Sequence, residues 1–456
     1  MAHASRSFRV GLVHVYLRGR SWYLCYHESG KRHRPRVGPD RQAARQLAAQ
    51  TNAQLAIGAP AVLSFEPIAI PELRDRWLRH HEQVLRSSVA TINRYRTATD
   101  HLLNFVREVR PVRLASQFRT QHAEEFVHYL RTIQVGPNGH PHTPKRPLLD
   151  RGIKYVLEAC RAMFGYALKR RHLSPYSQNP LSALQIDRIP VEDARPIVLF
   201  TPEQERSFLE ACDPWQFPLF LTLLLTGLRP GELAHLLLPE DVDLQAGLLL
   251  VRNKPRLCWQ VKTRSEREVP LAEVLVEVLR RLIGDRKTGP VFLRRRFAGG
   301  SEPPLANRSV SLLERVLSSR IAEGERESGR DLARSERLAV ARGLWRDLGA
   351  IEPDRIRLEF VRTTGRIGLP AATAPKLLRH QFATCLQEAR VDPLIRNELM
   401  GHSPSPKGSG LGMTAMYTHT RPEVRREQLE LALGRGPAIE VAQRWLLRAA
   451  ASNWSA

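Results

Sequence analysis

Long apolar runs are missing from this chain. None approaches the roughly 18 to 20 residues that cross a bilayer, and the longest, Phe217 to Leu225, is interrupted by Pro218 and Thr222. No membrane-spanning segment is expected. Met1 to Arg9, basic but with no apolar stretch behind it, predicts no secretory signal. Cysteine is scarce as well. Cys25, Cys160, Cys212, Cys258 and Cys385 are odd in number, widely spread and nowhere arranged as Cys-x-x-Cys. A disulfide framework and a zinc ribbon are both disfavoured, so the five read as buried thiols in a reducing cytoplasm. Acidic charge is the third shortage. Against 46 Asp and Glu stand 70 Lys and Arg, a net charge of +24. Such an excess calls for a polyanionic partner, and nucleic acid fits better than an acidic membrane surface.

At 456 residues the chain is too long for one typical core and predicts two or three domains. Residues 1–58 read as a small sheet plus helix. Val13 to Leu17 and Trp22 to Tyr26 are β-rich runs around the turn Arg18 to Ser21, a second turn at His27 to Gly30 precedes Arg32 to Val37, and a helix follows from about Asp40 to Leu55. This segment holds ten Lys or Arg against two acids, Glu28 and Asp40. A basic strand face of this kind suits a DNA major groove, although a purely structural sheet has the same appearance. Residues 59–67 form a linker. From 68 to 186 the apolar spacing is helical: Leu73 and Trp77; Tyr95, Leu102 and Phe105; Phe126 and Leu130; then Leu149 to Lys169, after a loop from Gly136 to Pro147. Phe164 belongs to the core, whereas Lys154, Arg161, Lys169, Arg170 and Arg171 are available to phosphates or to solvent. Residues 187–196 form a second linker.

The chemistry-bearing residues lie beyond it. Thr201-Pro202-Glu203-Gln204 starts a helix with Thr as N-cap, Pro at the first position and acid in the first turn. Leu219 to Leu225 is a buried helix stopped by Gly227, and Arg229 follows just ahead of Pro230-Gly231-Glu232-Leu233. An arginine at a helix start meets either an anionic ligand or a structural carboxylate such as Glu232. A small antiparallel sheet with cationic turns spans Gly247 to Leu271, and it carries Lys254 and Lys262. Arg379 and His380, preceded by Lys376-Leu377-Leu378, open a further helix, Leu399-Met400-Gly401-His402 comes next, and Met416-Tyr417-Thr418-His419 follows a stretch rich in Gly, Pro and Ser, Ser403 to Gly412. Arginine binds two phosphate oxygens through its planar fork, and a tyrosine oxygen can become a covalent nucleophile. Together these residue types point to chemistry on a phosphate ester.

In their order along the chain, Thr226 to Leu233, Lys262, Arg379-His380, Leu399 to His402 and Tyr417 resemble the tyrosine recombinases, also called the phage integrase family. The resemblance covers roughly Pro71 to Leu433. It implies a mostly α fold with small antiparallel β-sheets (α+β) and several domains: an arm-type DNA-binding domain at 1–58, a helical, SAM-like core-binding domain at 68–186 and a catalytic domain at 197–436. An insertion of about 319–375 and a tail at 437–456 complete the scheme. The insertion is densely charged, with a partial stripe from Leu332 to Leu348, and reads as one or two solvated surface helices. The tail is an equal candidate for packing in cis or on a neighbouring subunit.

The resemblance also implies a mechanism without cofactor, metal or ATP. Tyr417 attacks a DNA phosphodiester to form a 3′-phosphotyrosyl bond. Arg229, Arg379, His402 and Lys376 stabilise the non-bridging oxygens, and Lys262 protonates the leaving 5′ oxygen, with Lys254 as its rival for that role. The family usually has histidine where this chain has Lys376, and lysine at neutral pH is a poor proton acceptor. The implied partners are double-stranded DNA, three further protomers in a homotetramer on paired sites, and possible accessory DNA-bending proteins. The implied setting is a cytoplasmic, bacterial nucleoid-associated protein away from membranes. A type IB topoisomerase-like relaxation and a non-catalytic DNA-binding role on the same scaffold remain as alternatives.

Overall fold

The computed structural model describes residues 6–28, 30–59, 61, 65–136, 142–174, 177–192, 197–402 and 420–451. The chain divides into two units, Met1–Arg195 and Pro196–Ala456.

The first unit begins with five strands, β1 (Ser7–Val10), β2 (Val13–Arg18), β3 (Ser21–Glu28), β4 (Lys31–His33) and β5 (Arg36–Gly38). They pair antiparallel in the order β1-β2-β3-β4, with β5 also on β3. Side chains alternate across a strand, so Val13 and Val15 enter the core while His14 and Tyr16 take the other face. That face also carries Arg9 opposite His14, Tyr23 opposite Tyr16 and Arg36 opposite Tyr23. Helix α1 (Arg41–Ala56) starts at Asp40, whose carboxylate accepts the Gln42 N–H at 2.8 Å, and lays Ala44 and Ala48 against the sheet.

Four longer helices follow, α2 (Ile70–Gln83), α3 (Val89–Glu108), α4 (Thr120–Thr132) and α5 (Asp150–Lys169). Their expected stripes meet in one cluster containing Trp77, Leu102, Phe105, Phe126 and Phe164. The loop expected after α4 contains a short hairpin, β6 (Gln134–Val135) with β7 (Arg146–Pro147). Lys154 corrects an expectation. Instead of facing phosphates it donates to the carbonyls of Asp187 and Ile189 at 3.0 and 2.9 Å, tying α5 to the chain that leaves this helical cluster.

The second unit is built around α7 (Gln216–Thr226), all of whose residues are buried. Before it lies α6 (Pro202–Glu210), where Thr201 and Gln204 cap each other's backbone N–H at 3.2 and 3.0 Å. After it come α8 (Pro230–Leu233), β8 (Leu237–Leu238), β9 (Val242–Asp243), β10 (Leu248–Val251), β11 (Arg267–Pro270), α9 (Glu273–Ile283) and β12 (Gly289–Pro290). A three-stranded antiparallel sheet has the order β11-β10-β9, and β8 pairs with β12. Trp259 to Arg264, expected within the sheet, lies in the loop between β10 and β11. Val269 supplies the buried residue on the pairing strand, whereas Lys262 to Arg264 are exposed and offer no inward face.

The remaining helices are α10 (Val310–Ser328), α11 (Arg334–Asp347), α12 (Pro353–Arg366), α13 (Lys376–Glu388), α14 (Pro393–Met400), α15 (Pro422–Leu433) and α16 (Ala438–Ala451). The pair α10–α11 is not merely solvated surface. Leu313, Leu317, Leu344, Trp345 and Leu348 form a small separate core with Leu237 and Leu257. Position 319 falls inside α10, and α12 sends Ile356 and Phe360 into the main core. Helix α16 packs in cis, its Trp445 ring stacked on Phe217 at 4.8 Å and 9°. The cysteines are free; Cys25 and Cys160 are buried and the other three partly so. Among the described residues no helix is long and apolar enough to cross a membrane.

Candidate active site

Two backbone turns create the site. Helix α7 ends at Gly227, whose φ of +59° suits glycine, and a side chain there would collide with Phe382 of α13. That close approach brings the Gly227 carbonyl to Arg379, which donates to it through Nη1. Helix α14 ends likewise at Gly401, with φ +59°. A Cβ there would lie 2.8 Å from Arg267 Nη1. The second Arg379 nitrogen, Nη2, donates to the Met400 carbonyl and lies 3.3 Å from His402 Nε2. One guanidinium thus joins the turn at 227, 152 residues before it in sequence, to the turn at 400–402, 23 residues or fewer after it.

Arg229 is positioned by the short helix α8. Its Nη1 donates to Glu232 Oε1 at 2.7 Å, and its backbone N–H donates to Glu232 Oε2 at 3.0 Å. Of the two partners expected for an arginine at this helix start, the structure shows the carboxylate: α8 is only four residues long, and Glu232 occupies its first turn. What the turn presents is the arginine itself. Among the described residues its side chain is bonded through Nη1 alone, and it is 22% exposed.

Arg267, the first residue of β11, escaped the sequence reading. It donates through Nη2 to Glu232 Oε2 at 2.6 Å and through Nε to the Leu399 carbonyl at 3.0 Å. Its partners lie 35 and 132 residues away, so no local motif signals it. Glu232, 3% exposed, therefore anchors two arginines. Burial alone would raise its pKa, but hydrogen bonds and charge from Arg267 and Arg229 outweigh that and hold it below the ordinary carboxylate value.

Three guanidinium groups against one carboxylate leave two positive charges in surplus. Burial, then the charge of Arg229, brings the Arg379 pKa down to about 10, with Glu232 opposing and Arg267 assisting. It stays charged at neutral pH. Burial and the same three arginines, Arg379 foremost, also hold His402 below its ordinary value. The repulsion among these cations is relieved when an anion enters, so the cluster is electrostatically prepared for a phosphate.

The lysines are placed differently. Lys254 is committed: its Nζ lies 2.7 Å from Asp241 Oδ2 in a nearly buried pair and 5.1 Å from the Trp259 ring centroid. Lys262 is exposed in the loop that leads to Arg267. Lys376 is the exposed first residue of α13, one turn ahead of Arg379, and close enough to His380 to depress its pKa after burial has done so. The structure thus gathers Arg229, Arg379 and His402 with Arg267 and Glu232. Tyr417 and the stretch Ser403 to Gly412 lie outside the described residues.

Residues 199–423 match the family model described as the phage integrase family. This region belongs to the tyrosine recombinases. The chain is similar to the tyrosine recombinase XerC of Xanthomonas axonopodis pv. citri, 25% identical over 282 residues that cover 60% of this chain and 69% of the relative. It is also similar to XerC of Bradyrhizobium diazoefficiens, 39% identical over 70 residues, 15% of this chain and 20% of that one. Among solved structures, an integrase of the Tn1549 transposon, determined with a circular-intermediate DNA, superposes with a TM-score of 0.50 at 19% identity. It covers 80% of this chain and 99% of its own. That likeness is one of fold. This recombinase is therefore a site-specific tyrosine recombinase in which the family region coincides with the second unit's arginine cluster.

Proposed function

We propose that this recombinase cuts duplex DNA by attack of the Tyr417 oxygen on a backbone phosphorus. The phosphorus-to-O5′ bond breaks, a 3′-phosphotyrosyl link forms, and the leaving oxygen takes its proton from the Lys262 ammonium. Arg229 and Arg379 bind the non-bridging oxygens, His402 donates a hydrogen bond to one of them, and Lys376 adds charge at the start of the Arg379 helix. The ester's energy is retained in the protein link, so rejoining to another strand's 5′ hydroxyl needs neither ATP nor a metal activator. The observation that carries this reading is the convergence of Arg229, Arg379 and His402 around an excess of buried positive charge.

The same reading assigns residues 1–58 to arm-type DNA contact, 68–186 to core-site contact and 197–436 to catalysis. The basic and aromatic face of the front sheet supports the first assignment. Exchange between two duplexes calls for four protomers. Accessory DNA-bending proteins fit the same assembly, and a cytoplasmic, nucleoid-associated location follows from the substrate. A nicked duplex that loses its 5′ fragment on cleavage tests the chemistry: the wild type is expected to become covalently attached and Tyr417→Phe to remain free. Failure of the wild type to attach would favour a binding-only role. Adding a second site then separates strand exchange from topoisomerase-like relaxation.

A further inference from the structure

The α10–α11 hairpin touches the lysine loop at one well-defined place. Trp345, buried on α11, donates from Nε1 to the Leu257 carbonyl at 3.2 Å. Its ring meets His235 edge-on at 4.6 Å and 74°, and the other face of the contact continues as His235 stacked on Trp259 at 4.9 Å and 19°. Trp259 is bound in both directions to Lys254, N–H to carbonyl at 3.1 and 3.0 Å, and carries the Lys254 ammonium over its ring. His235 in turn donates from Nδ1 to the Gly231 carbonyl at 2.7 Å, two residues past Arg229. Burial, assisted by Lys254, lowers the His235 pKa to about 4 against the opposing Gly231 bond, so the imidazole in this stack is neutral at physiological pH.

Lys262 sits just beyond this stack. No sheet ladder holds residues 252–266; β10 and β11 pair only on either side of them. The loop is shaped by Asn253, which accepts the Val261 N–H at 2.9 Å and donates to the Arg264 carbonyl at 3.1 Å, and so brackets Lys262. Its first half packs on the Trp345 and His235 rings, Leu257 through its carbonyl and Trp259 through its indole. A long side chain in an unpaired loop delivers a proton only if its backbone is fixed, since about 1 Å of misplacement costs on the order of 100-fold.

We propose that the α10–α11 hairpin is a positioning device for the proton donor, with Trp345 as the positioning residue that clamps the loop bearing Lys262. The inference rests on Lys262 as the proton donor of the reaction proposed above. Removing Trp345 uncovers His235 and Trp259, frees the Leu257 carbonyl and lets the 252–266 loop relax, while the Gly227 and Met400 carbonyls continue to hold Arg379.

The test compares two nicked duplexes, one natural and one with sulfur in place of the bridging 5′ oxygen. A thiolate leaves as the anion and needs no proton, because a thiol is far more acidic than an alcohol. On the natural duplex Trp345→Ala is expected to slow covalent attachment by about 10- to 100-fold, and Trp345→Phe, which keeps a ring but loses the hydrogen bond, by about fivefold. On the sulfur duplex Lys262→Ala and both Trp345 variants are expected to attach at close to the wild-type rate. Thermal unfolding and non-covalent DNA binding check that each variant is folded; should Trp345→Ala not fold, Trp345→Phe carries the comparison. Unchanged rates on the natural duplex overturn the proposal. So does an equal loss on both duplexes for Trp345 variants while Lys262→Ala is rescued, since the defect then lies elsewhere than the proton. Failure of the sulfur duplex to rescue Lys262→Ala removes Lys262 from the mechanism and the positioning role with it.

Discussion

Two buried glutamates, Glu232 and Glu359, are each held by a pair of arginines, and only one pair builds a site. Around Glu232 the partners Arg229 and Arg267 are largely enclosed, and Arg379 adds a third cation, aimed by one bond from each Nη atom to a fixed carbonyl. Around Glu359 the partners Arg295 and Arg362 are 49% and 63% exposed, and Gln216 fills the remaining acceptor position at 2.7 Å. Glu359, Arg295 and Arg362 line an open cleft of about 500 Å³ with Arg294, Arg296 and Arg355. Counting arginines would favour the cleft. Confinement decides otherwise: water screens exposed charges, whereas a cation held out of water by its own fold interacts strongly with the next charge to arrive.

The sharpest way to break this comparison is to remove one cation from each place. Arg379→Ala is expected to lower the rate of covalent attachment to nicked DNA by about 10²- to 10³-fold, the loss typical of one pre-aimed donor. Arg362→Ala is expected to leave it within about twofold, as for an exposed ion pair. Comparable losses in the two variants would erase the distinction.

Next in size is stability. Glu232→Gln leaves two buried arginines without their counter-charge and is expected to cost about 3 kcal/mol at pH 7, read by thermal or denaturant unfolding. The sign of the pH effect follows from the depressed carboxyl. Its stabilisation is full above the unfolded value of about 4.3 and is lost as pH falls through the lower native value. The gap between wild type and Glu232→Gln is therefore expected to close on acidification. A gap that widens below pH 4 would contradict the ion-pair account.

The smallest expected effect is a titration shift. By NMR of the imidazole protons, His402 is expected to titrate below its ordinary value, and Arg229→Ala is expected to move it upward because one repelling charge is gone. No upward movement would mean that Arg229 does not face the histidine.

The same contrast explains what was legible in the sequence. Arg229 stands out because Gly227 announces the turn before it, and Arg379 and His402 because they sit in the motifs that carry the family resemblance. The capping at Thr201, the helices of the first unit and the buried run before Gly227 were readable for the same local reasons. Arg267 was not, because its meaning depends on a carboxylate and a carbonyl brought to it by the fold. Lys254 and Lys262 look alike in sequence, and only Asp241 separates the committed lysine from the exposed one. Trp345 was hidden within a densely charged segment whose apolar stripe found a loop to cover rather than solvent. The strand expected at Trp259 to Arg264 failed since Trp259 stacks on His235 and Lys262 to Arg264 are all exposed, which leaves no alternating inward face.

The central claim is that these cations serve one phosphate and one phenol. Mass spectrometry of the protein trapped on a nicked duplex, after nuclease and protease digestion, reads the attachment point directly. The expected result is a single peptide containing Tyr417 that carries a nucleotide through its 3′ phosphate. Attachment at another residue, linkage through a 5′ phosphate, or an undiminished covalent product from Tyr417→Phe would contradict it.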